Sequence, residues 1–424
     1  MLPILGGILI DKKGIRIGLI VFSGLIVFGQ MFVMIGGYER SYACILFGRA
    51  IYAIGGEALK AAQMTMVCLW FRGQELNFAL ALSLSFSQFG SNLNTYISPE
   101  VYEQQGLGST FLVGFMMCLI SLFAAIAAYY LDKKADGEME EEKSEEEKFF
   151  ITDIRFFTFA FWLLVIDSLF IYATVFVYIQ NVTNLLKVKY NFSLSKSAVM
   201  FGIPYIVSII LGPILGLISD RFGRRIKMLI LAHGVFILAF FISATLPECP
   251  EGDECYYEFA PLFFVGIGYS IFLAFFWGAI PLTVEEKSIG TAYGVSQAFQ
   301  NISVSFAQLL IDKILLATQN KFGEGTNYGG VDGFYIALNL IGVFFTMFLH
   351  CWDRHKCESV LNTPGYYQTE YEEEEEDAAH EAEIDDNQSA MKRKKKQSVV
   401  SGMSFASNAR SVRKFKKPSI SGRS

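Results

Sequence analysis

A ten-residue pattern occurs twice in this chain and constrains its fold more than any other feature. The first copy, GILIDKKGIR, runs from Gly7 to Arg16, and the second, GLISDRFGRR, runs from Gly216 to Arg225. Both copies have Gly first, Asp fifth, a cation sixth, Gly eighth and Arg tenth. Each lies between the end of one long apolar run and the start of the next. This duplication predicts two related bundles of membrane helices.

The apolar content predicts a multi-pass membrane protein. Of the 424 residues, 53% are hydrophobic and 40 are Phe, while charge is concentrated in short stretches. Because a spanning helix needs about 20 apolar residues, we expect half a helix at 1–10 and whole spans near 17–36, 43–69, 77–98, 109–131, 156–180, 197–219, 228–247, 258–284, 291–316 and 333–352. The net charge of −6 comes from acidic blocks in the loops and the tail and does not indicate nucleic-acid binding.

These spans divide the chain into four expected regions. They are a first transmembrane half at 1–131, an acidic linker at 132–152, a second transmembrane half at 153–352 and a disordered tail at 353–424. Met1 begins inside a span, so a repeat of the second half implies a first half truncated by about one and a half helices. A truncated gene model explains this. The alternative is a genuinely shortened protein, which would be inactive because polar faces would meet lipid.

The positions of Lys and Arg predict the orientation of the helices. Both motif loops are rich in cations and are therefore expected in the cytoplasm, together with the linker and the tail. The loops 99–108, 181–196, 248–257 and 317–331 then face the lumen or the outside. Asn181 and Asn191 begin glycosylation signals on that side. Cys249 and Cys255 flank a short acidic loop there and could close a disulfide if the compartment is oxidising.

The duplicated motif is expected to act at the cytoplasmic gate. Asp11 and Asp220 each end a helix, and Gly14 and Gly223 supply the backbone freedom for the turn that follows. The motif arginines, Arg16, Arg221, Arg224 and Arg225, could pair with these carboxylates or with carbonyl groups at a neighbouring helix end. Such a latch would break and re-form as the halves move, and Arg49 in the span 43–69 is a further gating candidate. The alternative is that the cations only mark the topology.

Several polar residues are expected inside the membrane, where ionisable groups are costly and therefore mark candidate sites. Glu57 lies near the middle of the span 43–69, and Lys60 is one turn away on the same side. Asp167 lies midway along 156–180. The remaining candidates for a binding pocket are Gln88, Asn92, Trp277, Tyr293 and Gln297.

A carboxylate and an ammonium group in one cavity would suit a zwitterionic solute. Two other interpretations remain open for these residues. Glu57 and Lys60 could form a structural pair that only neutralises itself. Alternatively, Glu57 or Asp167 could couple transport to protons, since burial favours the neutral carboxyl group.

The repeated loop motif, together with Arg49 and the glycine pair before Glu57, resembles the major facilitator superfamily. The strings FGRAIYAIGGEAL, WFRGQELNFALALSLS and GTAYGVSQAFQNI are most similar to its branch of lysosomal dipeptide uniporters. The resemblance covers residues 1 to about 350. It implies an all-α membrane fold of two pseudo-symmetric six-helix halves, with a pocket between them and transport by alternating access.

The resemblance also implies particular site residues and a partner. The acidic residue of the GGE string, here Glu57, would engage the amino end of a dipeptide. An Arg in the next helix would engage the carboxylate end, but this chain has Gln88 there. We therefore hypothesise that Lys60 supplies the displaced cation. The implied partner is a single-span glycosylated lysosomal accessory protein, and the implied location is the lysosomal membrane, with the plasma membrane or another vacuolar membrane as alternatives.

Two other functions remain open. One is a carrier for organic anions or sugars, because a fold does not fix the substrate. The other is a non-transporting sensor or scaffold whose charged tail recruits partners. Catalysis is not expected, because the sequence has no phosphate-binding loop, metal-ligand spacing or nucleophile–base pair, and no cofactor is implied.

Overall fold

The computed structural model describes residues 2–71, 75–138, 154–155, 157–247, 249–250, 254–322, 328–356 and 359–364. Every regular element in these ranges is helical. The helices are α1 (Leu2–Lys13), α2 (Ile15–Tyr38), α3 (Tyr42–Trp70), α4 (Leu76–Gln105), α5 (Leu107–Glu138), α6 (Phe159–Tyr190), α7 (Leu194–Phe201), α8 (Ile203–Phe222), α9 (Arg225–Thr245), α10 (Phe259–Phe276), α11 (Ile289–Phe322) and α12 (Gly329–Lys356). We call α1–α5 the N-terminal group and α6–α12 the C-terminal group.

The order and number of expected spans agree with these helices. Helix α1 corresponds to the half span, and each whole span corresponds to a long helix or, at 197–219, to the pair α7 and α8. Eight spans in the described chain are long and apolar enough to cross a membrane. Helices α4 and α11 are not among these eight, because polar side chains recur along them. The chain is therefore a multi-pass membrane protein.

Two expected spans are interrupted or shortened. The span 197–219 is divided at Gly202, where α7 ends and α8 begins with Pro204 in its first turn. The span 258–284 ends as an α-helix at Phe276 and continues through short 3-10 turns, one of which begins with Pro281. Proline has no backbone N–H and fixes its own φ, so it starts helices readily and does not continue them.

Other helices extend beyond the apolar stretches that predicted them. Helix α4 reaches Gln105 and α6 reaches Tyr190, so part of the expected lumenal loops 99–108 and 181–196 is helical. Helix α5 also continues into the expected linker. A count of apolar residues finds only the part of a helix that lies in lipid. The rest of the linker, at 139–152, and the tail beyond 364 lie outside the described residues.

Helices of the two groups approach each other most closely at glycine positions. A Cβ atom on Gly216 of α8 would lie 2.8 Å from the backbone oxygen of Asn77 and 2.8 Å from Cα of Phe78, both on α4. A Cβ on Gly7 of α1 would lie 2.8 Å from Cα of Thr291 on α11. Glycine is thus needed at both crossings, as is common where membrane helices pack closely. Both positions are the first residue of a motif copy.

Candidate functional site

A cavity of about 210 Å³ lies between the two groups of helices. Helix α3 supplies one wall, and α6 and α11 supply the others. The lining residues are Glu57, Lys60, Tyr172, Phe176, Gln180, Gln297, Gln300, Asn301 and Val304. At about 30 Å³ per water molecule, the cavity has room for a small polar solute. Its walls would move relative to each other if the groups moved.

Both charged groups of this cavity come from α3. The carboxylate of Glu57 accepts a hydrogen bond of 2.9 Å from Nδ2 of Asn301 on α11. The ammonium group of Lys60 lies 5.2 Å from the centroid of the indole ring of Trp277, a cation–π contact. Because Glu57 and Lys60 are three residues apart on one helix, they share a face. The cavity therefore presents a negative and a positive group side by side.

An aromatic wall from α6 closes the side of the cavity opposite these charges. The rings of Tyr172 and Phe176 stack with centroids 4.7 Å apart. Behind them, the ring of Tyr269 on α10 packs edge-on against Phe176 at 5.8 Å. The prediction that Gln88 lines the pocket is wrong for this cavity: its Nε2 donates to the hydroxyl of Tyr269 at 3.1 Å, behind Phe176.

The prediction that Asp167 contributes to the pocket is also wrong. Asp167 lies nine residues before Phe176 on α6, and at 3.6 residues per turn this places the two on opposite faces. The carboxylate is fully buried inside the C-terminal group. It lies 2.9 Å from Nε2 of His233 on α9 and accepts a hydrogen bond from Thr346 on α12. Its location is a helix–helix interface.

Three further candidates, Asn92, Tyr293 and Trp277, lie outside the lining of the cavity. Nδ2 of Asn92 donates to the carbonyl oxygen of Gly202 at 3.2 Å, at the break between α7 and α8. The hydroxyl of Tyr293 donates to the carbonyl oxygen of Trp277 at 3.0 Å and lies 2.9 Å from Sγ of Cys68. Trp277 is fully buried and supports Lys60 from behind.

Six lining residues were not singled out in the sequence: Tyr172, Phe176, Gln180, Gln300, Asn301 and Val304. On α11 a signal was present. Gln300 and Asn301 follow Gln297 by three and four residues, the spacing of one helix face. Asn301 begins a glycosylation signal, but its side chain lies within the cavity wall and binds Glu57. On α6 the aromatic residues resemble ordinary lipid-facing or core residues, and the sequence does not separate them.

The two motif aspartates occupy equivalent places in the structure. Asp11 accepts hydrogen bonds from the backbone N–H groups of Gly290 at 3.0 Å and Thr291 at 2.6 Å, the second and third residues of α11. Asp220 accepts from the N–H groups of Asn77 at 2.9 Å and Phe78 at 2.8 Å, the second and third residues of α4. Each carboxylate caps the N-terminus of a helix in the other group. We call these contacts the cross-group caps.

The hydrogen bonds of the motif arginines Arg16 and Arg225 go to groups other than the motif aspartates. Arg16 pairs with Asp132 near the end of α5, through both its carboxylate and its carbonyl oxygen. Arg225 is 1% exposed and donates to the carbonyl oxygen of Thr363 at 3.0 Å. The carboxylates of the caps are thus satisfied by backbone N–H groups. Gly14 and Gly223 have φ of 86° and 59°, as the turn interpretation predicted.

Comparison with known proteins agrees with this arrangement of two helix groups, a central cavity and a duplicated cap. The model of the Major Facilitator Superfamily matches residues 1–308. The chain belongs to the Major Facilitator Superfamily. It is a membrane transporter by that membership, and the cavity between its two groups is where a transported solute would be held.

Relatives and solved structures of this superfamily resemble the chain over most of its length. The lysosomal dipeptide transporter MFSD1 of Homo sapiens is 28% identical over 361 residues, covering 82% of this chain and 74% of that protein. The protein of the same name from Mus musculus is 30% identical over 327 residues, covering 74% and 69%. The proton:xylose symporter XylE superposes with a TM-score of 0.61 at 13% identity, covering 82% of this chain and 83% of the other. FucP in the outward conformation gives 0.58 at 15% identity, covering 81% and 86%.

Not all gating candidates of this transporter lie at the cross-group caps. Arg49 is exposed seven residues after the start of α3, at the end of the helix away from the motif loops, and stacks on Tyr52 at 5.9 Å. Arg221 is exposed over the ring of Phe222 at 5.7 Å. Arg224 contributes its backbone, which has φ of 55° and whose N–H donates to Asn362. Arg49 therefore lies away from the cross-group caps, and its gating role stays a prediction.

At the opposite end of the transporter, the two glycosylation candidates differ. Asn181 lies inside α6, half-buried, and its Nδ2 donates to Gln308 of α11 at 3.0 Å, so the expectation of a loop site there is wrong. Asn191 ends α6 and is exposed. Cys249 and Cys255 form a disulfide beside it. Next to that disulfide, Glu254 accepts a hydrogen bond from Lys196, which raises the pKa of the lysine.

Proposed function

We propose that this transporter moves dipeptides across the lysosomal membrane by alternating access, as a uniporter. One observation carries the proposal: the cavity between the groups holds a carboxylate and an ammonium group one helical turn apart. A zwitterion that enters between them would exchange its hydration for two opposite charges. The relatives described as lysosomal dipeptide transporters support the choice of solute and of compartment.

The two ends of a dipeptide have distinct places in this proposal. The amino end meets the carboxylate of Glu57, where it competes with Nδ2 of Asn301 for the same acceptor. The carboxylate end meets Lys60, whose ammonium group rests on the face of Trp277. Gln88 has no place in this scheme, because its amide binds Tyr269 behind the aromatic wall. In this proposal the cation of the site lies on α3 instead of α4.

We expect Glu57→Gln to reduce dipeptide counterflow in proteoliposomes roughly tenfold or more, because the amide cannot supply the charge for a charge-assisted hydrogen bond. The glutamine retains the size of the side chain and can still accept from Asn301. Glu254→Gln is the matched control, since Glu254 pairs with Lys196 outside the cavity. Counterflow that survives Glu57→Gln unchanged would contradict the proposal.

Lys60→Ala should raise the half-saturation concentration for dipeptides about tenfold, the effect of losing a hydrogen bond to a charged group, while Gln88→Ala should change it less than about twofold. The measurement is concentration-dependent counterflow with a dipeptide and with the same dipeptide amidated at its C-terminus. The amidated form has no carboxylate, so Lys60→Ala should not weaken it further. Equal, small effects of both substitutions would exclude Lys60 as the carboxylate site.

A sensor or scaffold that works through its tail is separated from a carrier by truncation, and the structure determines where to cut. Residues 359–364 fold back onto the motif loop: Leu361 is 2% exposed, and Asp353 accepts from the N–H of Leu361 and from Nδ2 of Asn362. A chain ending at Pro364 should keep its flux and its stability if it is a carrier. A scaffold would lose the recruitment of its partners, because the charged tail that recruits them would be absent.

A chain ending at Cys357 should instead be less stable by roughly 1–3 kcal/mol, because buried Arg225 would lose its carbonyl partner. Thermal unfolding in detergent measures this difference, and the chain ending at Pro364 is its control. Equal melting temperatures for the two truncations would show that the docked segment contributes nothing.

The accessory glycoprotein remains part of the proposal for the lysosomal setting. Of the two glycosylation candidates on the lumenal side, only Asn191 is exposed. A glycan there would shield little of the lumenal surface from proteases. A heavily glycosylated single-span partner would supply the rest of this shielding.

Dipeptide counterflow measured beside free amino acids and a sugar also tests the remaining alternative, a carrier for sugars or organic anions.

A further inference from the structure

Two buried amide groups of the cavity have atoms without hydrogen-bond partners. Gln297 and Gln300 are 2% and 1% exposed, and both line the cavity from α11. Among the described residues, Oε1 of Gln297 and Nε2 of Gln300 have no hydrogen-bond partner. A buried polar atom left unpaired costs about 1–3 kcal/mol, so such atoms are uncommon in folded proteins. Here an amide with an unpaired acceptor and an amide with an unpaired donor lie one turn apart on the α11 wall of the cavity.

The geometry points to a clamp for the peptide bond of the substrate, formed by Gln297 and Gln300. This inference rests on the proposed function and specifies which part of the solute α11 recognises. The N–H of the peptide bond would donate to Oε1 of Gln297, and its C=O would accept from Nε2 of Gln300. In a trans peptide bond these two groups point in opposite directions. In the clamp, the bond would therefore lie between the two side chains, with one amide on each side.

The positions of the charged groups agree with this clamp. Glu57 and Lys60 lie on α3, and Gln297 and Gln300 lie on α11, so the charges and the amides approach a solute from different walls. The termini of a dipeptide would face α3 while its middle faces α11. Nε2 of Gln297 lies 3.9 Å from Sδ of Met64, which directs the amide so that its oxygen is the unpaired atom.

The clamp explains how the site would reject a free amino acid. An amino acid has both charged ends and could reach Glu57 and Lys60, but it has no peptide bond. Oε1 of Gln297 and Nε2 of Gln300 would then stay buried and unpaired. Sites that hydrogen-bond a particular group discriminate strongly against solutes that lack it, for this reason. The charges would give affinity, and the amides would give selectivity for peptides.

The test compares two solutes that differ in one group. Alanyl-alanine has a peptide N–H, and alanyl-lactate has an ester oxygen in the same place and keeps the carbonyl and both charged ends. In counterflow with the unaltered protein, we expect the half-saturation concentration for alanyl-alanine to be about tenfold lower than that for alanyl-lactate. This ratio corresponds to one hydrogen bond of about 1.4 kcal/mol. Gln297→Leu should reduce this preference to about one.

Three further variants keep the result interpretable. Gln180→Leu removes an amide from the α6 wall of the same cavity and should retain the preference. Gln297→Glu keeps an acceptor oxygen for the N–H and should also retain it. Gln300→Leu should weaken both solutes, because both have the carbonyl group.

The outcomes separate the clamp from the proposed function. Exchange of alanyl-alanine with no preference over alanyl-lactate in the unaltered protein would overturn the clamp and leave dipeptide transport intact. A preference that persists in Gln297→Leu, or that disappears equally in Gln180→Leu, would overturn it as well. Absence of exchange with any dipeptide would overturn both. A preference retained by Gln180→Leu and Gln297→Glu and lost in Gln297→Leu would establish the clamp.

Discussion

Asp167→Ala is expected to destabilise the C-terminal group by about 1–3 kcal/mol, because it leaves a buried ring nitrogen of His233 without its hydrogen-bond partner. Nε2 of His233 lies 2.9 Å from Asp167, and Nδ1 lies 2.9 Å from Oδ1 of Asn339. Nδ2 of Asn339 donates to the carbonyl oxygen of Tyr335, so its oxygen faces the histidine. Both nitrogens of the buried ring thus lie within hydrogen-bond distance of a buried oxygen atom.

The measurement for this prediction is thermal unfolding of the purified protein in detergent. Exchanging both partners for apolar residues, Asp167→Leu with His233→Leu, should restore most of the lost stability, because the ring and the carboxyl group are then removed together. A double variant less stable than Asp167→Ala would contradict this role of the hydrogen bond between them. The half-saturation concentration of the folded Asp167→Ala protein should not change, since Asp167 is on the far side of α6 from the cavity.

The contrast between Asp167 and Glu57 shows what the sequence can determine about the site. Both are carboxylates near the middle of a span, and by composition both are candidates for a pocket. Which one faces the cavity depends on how each helix is rotated in the bundle. On α3, Glu57 shares its face with Lys60, and both line the cavity. On α6, the face opposite Asp167 lines it, and Asp167 itself contacts His233 of α9 and Thr346 of α12.

Membrane spans are predicted more reliably from sequence because their signal is local. An apolar run of about 20 residues must satisfy its own backbone hydrogen bonds in lipid and therefore becomes a helix wherever it packs. The partners of Asp11 and Asp220 show the limit of such reasoning. These carboxylates bind backbone N–H groups at the start of α4 and α11, and a backbone group has no sequence signature. The motif predicted a latch, but only the structure identifies the helix ends that its carboxylates bind.

Asp220→Ala is expected to open the cytoplasmic side of the transporter. The substitution removes hydrogen bonds from the N–H of Asn77, the N–H of Phe78 and, at 2.6 Å, Nδ2 of Asn77. Hydrogen bonds to a charged group contribute about 1.5–3 kcal/mol each. A change of about 5.5 kcal/mol moves a two-state equilibrium from 99:1 to 1:99, so three such contacts are enough to reverse the populations.

Distances between spin labels at exposed Lys13 and Phe222, at the cytoplasmic ends of α1 and α8, would measure this opening. Ser219→Ala is the matched control: Ser219 is adjacent and fully buried, and its hydroxyl has no partner. We expect the distance distribution to broaden and lengthen in Asp220→Ala and to stay unchanged in Ser219→Ala. An unchanged distribution in both would show that the cap does not hold the groups together.

The same experiment decides between a latch and a motif that only marks topology. If the motif cations act only on insertion, removing a carboxylate at the helix end leaves the inserted protein closed, since Asp and Glu contribute little to orientation. If the caps hold the groups, the opening of Asp220→Asn should fall between that of the wild type and that of Asp220→Ala, because an amide oxygen still accepts from the N–H groups of α4 but without charge.

Asp11→Ala should act in the same direction, because its carboxylate holds the start of α11 as Asp220 holds the start of α4. The two caps stabilise one closed state, so their free energies should add, and the double variant should be the most open of the series.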